Sequence, residues 1–145
     1  MVCTFFGHRT IDKGIEPTLR SILVDLIENK NVEKFYVGNH GSFDSLVIRN
    51  LEALETIYPH IKYSIVLAYL TGKKSEYHCF DFSRTLYPDG LEKTPPKFAI
   101  DKRNRWMIEK SDFVVTYVKR FGGAYNYKEI AEKKGKIIIN IADLI

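Results

Sequence analysis

The stretch from Val2 to Arg9 reads Val-Cys-Thr-Phe-Phe-Gly-His-Arg and decides how the rest of the chain is interpreted. Its first five residues form a short apolar run, which is typical of a strand buried inside a sheet. The glycine that follows marks a turn. A buried strand that ends in a glycine turn before a helix is the usual beginning of a βαβ unit, so this stretch predicts a parallel sheet.

Short apolar runs and amphipathic segments alternate along the remaining sequence. Leucines and isoleucines recur at helical spacing from Ile15 to Ile27, and Pro17 falls in the first turn, where its missing N–H costs little. Further strands are predicted at 34–37, 63–70, 113–118 and 136–141, and further helices at 42–58, 100–110 and 125–134. Ser42 is the predicted N-cap of the second helix. The sequence therefore predicts one α/β domain over residues 1–145, a mainly parallel open sheet of about five strands with helices on both faces.

Residues 71–97 form a long connection that interrupts this alternation. A connection of this length without secondary structure is uncommon in a single domain. It could cover a ligand, contact a second subunit or pack as a satellite core, and the sequence leaves these alternatives open. The segment is rich in aromatic residues and prolines, namely Tyr77, His78, Phe80, Phe82, Tyr87, Pro88, Pro95 and Pro96.

The composition describes a soluble globular protein and excludes a disordered or fibrous chain, because 45% of the 145 residues are hydrophobic and 28% are charged. The 22 basic and 18 acidic side chains give a formal charge of +4. This charge suits an anionic ligand, but it is too small and too evenly spread to require nucleic acid as a partner.

The cysteines and the N-terminal residues indicate a cytoplasmic protein without a membrane partner. Cys3 and Cys79 are the two cysteines, and no Cys/His spacing typical of a metal site is present, so neither a disulfide scaffold nor a bound metal is expected. The first residues lack the hydrophobic region of a signal peptide. No apolar run approaches the roughly 20 residues of a membrane span.

Three predicted strands end in loops that contain glycine, at 7–9, 38–44 and 122–126. In open parallel sheets, ligands bind at the carboxyl ends of the strands, where the strand order reverses. Glycine lets backbone N–H groups approach a phosphate closely, and a helix that begins next adds a partial positive charge. Neither a P-loop nor Gly-x-Gly-x-x-Gly occurs. The loops together predict a polar or phosphate-bearing ligand.

Arg103 and Asn104 lie near the start of the predicted third helix. The guanidinium of Arg103 offers a fixed fork of donors that suits a phosphate or a carboxylate. Because Lys102 and Arg105 are its neighbours, a solvated basic helix face explains the same pattern. The sequence leaves both interpretations open.

Three further side chains have a functional and a structural interpretation. His8 could titrate near neutral pH and assist binding or proton transfer, or it could bind the adjoining loop. Asp44 could hydrogen-bond a ribose, or it could only complement the helix dipole. Glu129 could be a catalytic carboxylate or an exposed helix residue.

These motifs resemble those of the SLOG superfamily, and above all its YpsA-like branch. Residues 3–9 resemble the opening strand and loop of that branch, and residues 38–44 have its Gly-x-x-Gly-x-x-Asp pattern. The resemblance implies a Rossmann-like domain that binds a nucleotide, and it also implies a homodimer. Trp106 and the aromatic insertion are the candidate contacts between subunits.

The C-terminal part resembles the lonely-guy phosphoribohydrolases, which belong to the same superfamily. They carry Arg-Lys-x-x-Met, followed by Pro-Gly-Gly-x-Gly-Thr-x-x-Glu. Residues 103–107 resemble the first motif, with Asn104 in place of lysine. Residues 121–129 keep the paired glycines and the glutamate of the second motif, whereas its proline, its third glycine and its threonine are replaced by Phe121, Tyr125 and Asn126.

The lonely-guy motifs imply that Arg103 and Glu129 form a catalytic pair and that Gly122 and Gly123 form a phosphate loop. Tyr125 stands where that family needs a close backbone approach. A side chain of this size either crowds a 5′-phosphate or stacks on the base.

The leading hypothesis is a nucleotide-binding module, a sensor or sequestering protein for a nucleotide or an ADP-ribose-like molecule, with no cofactor. An alternative is a hydrolase that cleaves the N-glycosidic bond of nucleoside monophosphates or related nucleotides. A further alternative is a DNA-associated protein like DprA. The residues predicted to contact the ligand are Gly7, His8, Arg9, Gly38, Asn39, Gly41, Ser42, Asp44, Arg103, Asn104, Gly122, Gly123, Ala124, Tyr125 and Asn126.

Overall fold

A computed structural model describes residues 1–70 and 82–145. Within them, six parallel strands form one sheet in the order β4-β3-β2-β1-β5-β6. The strands are β1 (Val2–Gly7), β2 (Lys34–Val37), β3 (Lys62–Val66), β4 (Thr85–Leu86), β5 (Phe113–Tyr117) and β6 (Ile137–Asn140). The helices are α1 (Glu16–Asn29), α2 (Ser42–Ile57), α3 (Pro96–Lys110) and α4 (Gly123–Lys133).

Side chains of the central strands alternate between two cores, one on each face of the sheet. Phe5 and Phe35 lie in one cluster with the buried residues of α1 and α2. Phe6 and Val114 lie in the other cluster with buried residues of α3 and α4. This alternation follows from the two-residue period of a strand. The prediction of an open α/β sheet with helices on both faces is confirmed.

The long insertion supplies a strand that the sequence analysis did not predict. β4 pairs with β3 at the edge of the sheet, so the sheet has six strands where about five were predicted. Residues 71–81, which include the predicted aromatic positions Tyr77, His78 and Phe80, lie outside the described residues. In the described part of the insertion, the side chain of Leu91 is buried, which is what a packed segment requires.

The main differences from the predicted element boundaries concern β3, α3, α4 and the start of α2. The strand predicted at 63–70 is Lys62–Val66, because β4 offers only two partner residues. Helix α3 begins at Pro96, well before residue 100, since proline is tolerated in the first turn. Helix α4 begins at Gly123, two residues earlier than predicted. Ser42 is the first residue of α2, and the N-cap is Gly41.

Gly41 occupies the N-cap because of its backbone conformation. Its φ of 92° lies in the region that favours glycine, and a Cβ there would come within 2.9 Å of the Cα of Arg9. The Arg9 carbonyl accepts a hydrogen bond from the Ser42 N–H at 2.7 Å. The loop after β1 therefore packs directly against the first turn of α2.

The strand order reverses between β1 and β5. From β1 the chain builds the sheet outward through β2 and β3 to β4, and it then returns to add β5 and β6 on the other side of β1. Loops that leave neighbouring strands toward opposite sides open a crevice at the carboxyl ends. The topology thus creates a crevice beside the ends of β1 and β5.

Trp106, a candidate subunit contact, is partly buried and packs against Tyr36 with the ring centroids 5.0 Å apart. It therefore contributes to the core between α3 and the sheet. The homodimer stays a prediction. No helix in the described part of the chain has the length and apolar character needed to cross a membrane.

Candidate functional site

A cavity of about 300 Å³ lies at the carboxyl ends of the central strands, under α3 and α4. Three separate glycine loops reach it: Gly7 at the end of β1, Gly38 after β2 and Gly123 at the start of α4. Among residues 1–70 and 82–145, the lining consists of Phe5, Phe6, Gly7, His8, Arg9, Gly38, His40, Asp44, Ile100, Arg103, Asn104, Met107, Gly123, Ala124 and Tyr127.

Part of the predicted ligand set falls outside this lining. Gly41 and Ser42 line a second cavity of about 650 Å³ between α1 and α2, and Arg9 borders both cavities. Asn39 contacts the site indirectly, through Arg103. The remaining residues that the described lining leaves out are Gly122, Tyr125, Asn126 and Glu129.

Arg103 is buried at the base of the cavity, with 2% of its surface exposed. Its Nη1 donates to the Val66 carbonyl at 2.9 Å and to Oδ1 of Asn39 at 3.2 Å. Its Nε donates to Oδ1 of Asn104 at 2.7 Å. Arg105, two residues later, keeps 54% of its side chain exposed. The interpretation as a solvated basic face is therefore wrong for Arg103 and fits Arg105. Binding of a phosphate or carboxylate by Arg103 stays a prediction.

The contacts of Arg103 connect three elements around the cavity. Val66 ends β3, Asn39 lies in the loop after β2, and Asn104 lies on α3 itself. The Nη2 of Arg103 also lies 3.3 Å from Nδ1 of His40. Because a guanidinium has no acceptor, Nδ1 of His40 accepts this bond and its proton sits on Nε2. Arg103 thus fixes the loop that carries Asn39 and His40.

Gly38 allows a charged pair to approach the backbone. A Cβ on Gly38 would lie 3.0 Å from Oδ2 of Asp44 and 3.2 Å from Cζ of Arg103. Asp44 is 9% exposed and also accepts the His40 N–H at 3.1 Å. A carboxylate and a guanidinium therefore share the space beside this glycine at the bottom of the cavity.

Tyr127 forms the wall of the cavity on α4, and the sequence analysis missed it. Its ring stacks on Phe6 with centroids 5.3 Å apart, and its hydroxyl donates to Asp101 at 2.8 Å. Burial raises the pKa of Tyr127, and the hydrogen bond to Asp101 raises it further. Helical spacing was the available signal, because residue 127 lies one turn beyond Ala124 on the same face.

Tyr125 and Glu129 pair with each other one helical turn apart, outside the lining. The Tyr125 hydroxyl donates to Oε1 of Glu129 at 3.0 Å, and this bond raises the pKa of Tyr125 above its ordinary value. The ring of Tyr125 meets that of the exposed Phe121 edge to face at 4.7 Å. The structure therefore brings Arg103 to the cavity without Glu129, and a catalytic role for this pair stays a prediction.

His8 is held against the loop that follows β5. Its Nε2 accepts the Lys119 N–H at 2.9 Å, and its ring meets Tyr117 edge to face at 5.8 Å. Burial lowers the pKa of His8, and the positive charges of Arg120 and Lys119 lower it further. The lowered pKa favours the neutral ring at neutral pH. The hydrogen bond to Lys119 is the contact with the adjoining loop that one of the two interpretations predicted.

The lowered pKa of His8 predicts a stability that depends on pH. The unfolded chain takes up this proton near pH 6.5, whereas the folded chain takes it up only at lower pH. The free energy of unfolding should therefore fall as the pH drops from about 6.5 through the folded pKa. Urea denaturation between about pH 7.5 and about pH 5.5 measures it, with His8→Gln as the control that lacks this titration. Identical pH dependence in both proteins would contradict the assignment.

Comparisons with known proteins add no functional assignment. Within the described residues, no group of three or more His, Cys, Asp or Glu side chains is arranged to hold a metal ion. Models of known protein families match no part of this chain, and a comparison with curated proteins finds no match either.

Proposed function

We propose that the protein binds a nucleotide or nucleotide-derived ligand in the cavity at the strand reversal. The observation that carries the proposal is the meeting of Gly7, Gly38 and Gly123 around one space that also contains a buried guanidinium. Glycines at the ends of strands let backbone N–H groups approach a phosphate closely. The first N–H groups of α4 carry a partial positive charge that attracts the same phosphate.

The charge and size of the cavity support the same ligand class. Arg9 and Arg103 bring two positive charges to the lining, against one carboxylate from Asp44. A volume of about 300 Å³ is at the lower end for small-molecule sites, which favours a ligand of mononucleotide size. The stacked rings of Phe6 and Tyr127 offer an aromatic wall to a base or a ribose.

The proposal is tested by titration calorimetry with AMP, GMP, CMP, UMP and ADP-ribose. Saturable binding of at least one of them, with the ligand recovered unchanged, is the expected result. Native mass spectrometry of freshly purified protein shows whether a nucleotide is already bound. If no member of the panel binds and no nucleotide is carried through purification, the proposal fails.

The same samples test hydrolysis of the N-glycosidic bond, which stays a prediction of the family resemblance. Release of free base from any monophosphate, abolished by Glu129→Gln, would make the protein an enzyme and not only a binding module.

A gel shift with single-stranded DNA tests the third hypothesis, a DNA-associated protein. Binding of DNA should weaken steeply with salt if basic side chains contact the phosphates.

Gly123→Ala tests the glycine loop directly. A methyl group at this position meets no protein atom within 4 Å, so the fold should keep its stability. Because Gly123 lines the cavity, the methyl group should keep a phosphate away from the first amides of α4 and weaken nucleotide binding about tenfold. Gly14→Ala is the matched control, since it also meets no atom within 4 Å. Equal affinities in both variants would remove α4 from the ligand site.

A further inference from the structure

His8 is a buried imidazole whose two ring nitrogens have different surroundings. It lines the cavity, and only 8% of its surface is exposed. One nitrogen, Nε2, lies 2.9 Å from the backbone N–H of Lys119. A backbone N–H can only donate, so Nε2 must be the acceptor and carry no proton.

The proton of the neutral ring therefore sits on Nδ1. Among residues 1–70 and 82–145, no residue accepts a hydrogen bond from this nitrogen. A buried donor without an acceptor costs about 1–3 kcal/mol, and such groups are rare in native proteins. An unsatisfied donor in the lining of a cavity is what a site built for a ligand acceptor contains.

The positive charges around His8 indicate that a ligand atom bound to Nδ1 would be negatively charged. Lys119 and Arg120 lie close enough for their positive charges to act on the ring. The N-terminus of α4 opens beside the same cavity, where Gly123 and Ala124 precede the first intrahelical bond, from the Asn126 N–H to the Gly122 carbonyl. Donors and positive charge surround this position, which favours an anionic oxygen.

We infer that His8 recognises the phosphoryl group of the bound nucleotide through Nδ1–H, as a neutral donor and not as a general base. The inference rests on the proposed function and names the group that this side chain contacts. Nε2 is occupied by Lys119, and Nδ1 is already protonated, so neither nitrogen can accept a proton from a substrate. The hydrogen bond from the Lys119 N–H fixes the ring proton on Nδ1. The proton on Nδ1 then makes His8 a donor to a phosphoryl oxygen.

Two amide variants separate the two nitrogens of His8. In His8→Gln, the amide oxygen can replace Nε2 as acceptor for Lys119, while the donor at Nδ1 is lost. In His8→Asn, the amide nitrogen can replace the Nδ1 donor, while the loop contact is lost. AMP and adenosine form the matched ligand pair, because they differ only in the phosphoryl group, and GMP with guanosine repeats the test on a second base.

Calorimetry should show that His8→Gln binds the monophosphate about tenfold or more weakly and binds the nucleoside as the wild type does. His8→Asn should keep more of the monophosphate affinity than His8→Gln. Equal loss for both ligands, or no loss for either, would overturn the role of His8 while leaving the proposed function intact. Absence of any nucleotide binding by the wild type would instead overturn the proposed function.

The tautomer is tested without any ligand. The ¹⁵N chemical shifts of His8 in the folded protein should show a protonated Nδ1 and an unprotonated Nε2 at neutral pH. A proton on Nε2 of His8, or a doubly protonated ring, would overturn the inference whatever the protein binds.

Discussion

Gly7→Ala should destabilise the protein by about 3 kcal/mol or more, the upper part of the range for overpacked cores. A Cβ on Gly7 would lie 2.3 Å from Cγ and 2.8 Å from Cβ of Phe43. That ring is 1% exposed and stacks near Tyr117, so it has no empty space to enter. Relief requires α2 to move away from the end of β1.

Thermal and urea denaturation measure this loss. Gly14→Ala serves as the control, because the same change there meets open space. A melting temperature of Gly7→Ala equal to that of Gly14→Ala would show that β1 and α2 do not approach each other as described. Because Phe43 and Asp44 share the first turn of α2, the variant should also displace the polar base of the cavity.

Arg103→Met should produce a loss of comparable size, together with loss of nucleotide binding. The substitution keeps an apolar stem but removes donors from the Val66 carbonyl, from Asn39 and from Asn104. Each buried acceptor left without a donor costs about 1–3 kcal/mol, so the expected destabilisation is about 3 kcal/mol or more. It also leaves the nearby carboxylate of Asp44 without the positive charge beside Gly38.

Arg105→Met is the matched control on the same helix. Arg105 makes an exposed pair with Asp101 one turn away, which contributes little to stability. Its free energy of unfolding should therefore stay within about 0.5 kcal/mol of the wild type. If Arg103→Met were as stable as Arg105→Met, the buried hydrogen bonds of Arg103 would not support the fold.

The fold class could be predicted from the sequence, because the central strands are apolar runs that end at a glycine. The buried run of β1 ends in Gly7, and the run of β2 ends in Gly38, so both strands and their exits could be located. β4 could not be predicted, because two residues show no periodicity. Its pairing depends on β3 being in place, which is tertiary information.

The candidate site was predictable at the level of loops but not of side chains. Glycine after a strand indicated where the chain turns, and parallel strands required these turns to share one edge. Whether Arg103 is buried depends on the positions of Val66 and Asn39, which lie far away in the sequence. Tyr127 was not predicted, because the resemblance to the lonely-guy motif points to Tyr125, whose side chain lies outside the cavity lining.

The reversal of strand order between β1 and β5 has a consequence for when the cavity can exist. Cys3 pairs with Phe113, so the two sides of the crevice come from segments that meet only after a long loop has closed. A ligand of the proposed kind would bind only the fully assembled chain, so it would protect the chain from unfolding and proteolysis by mass action.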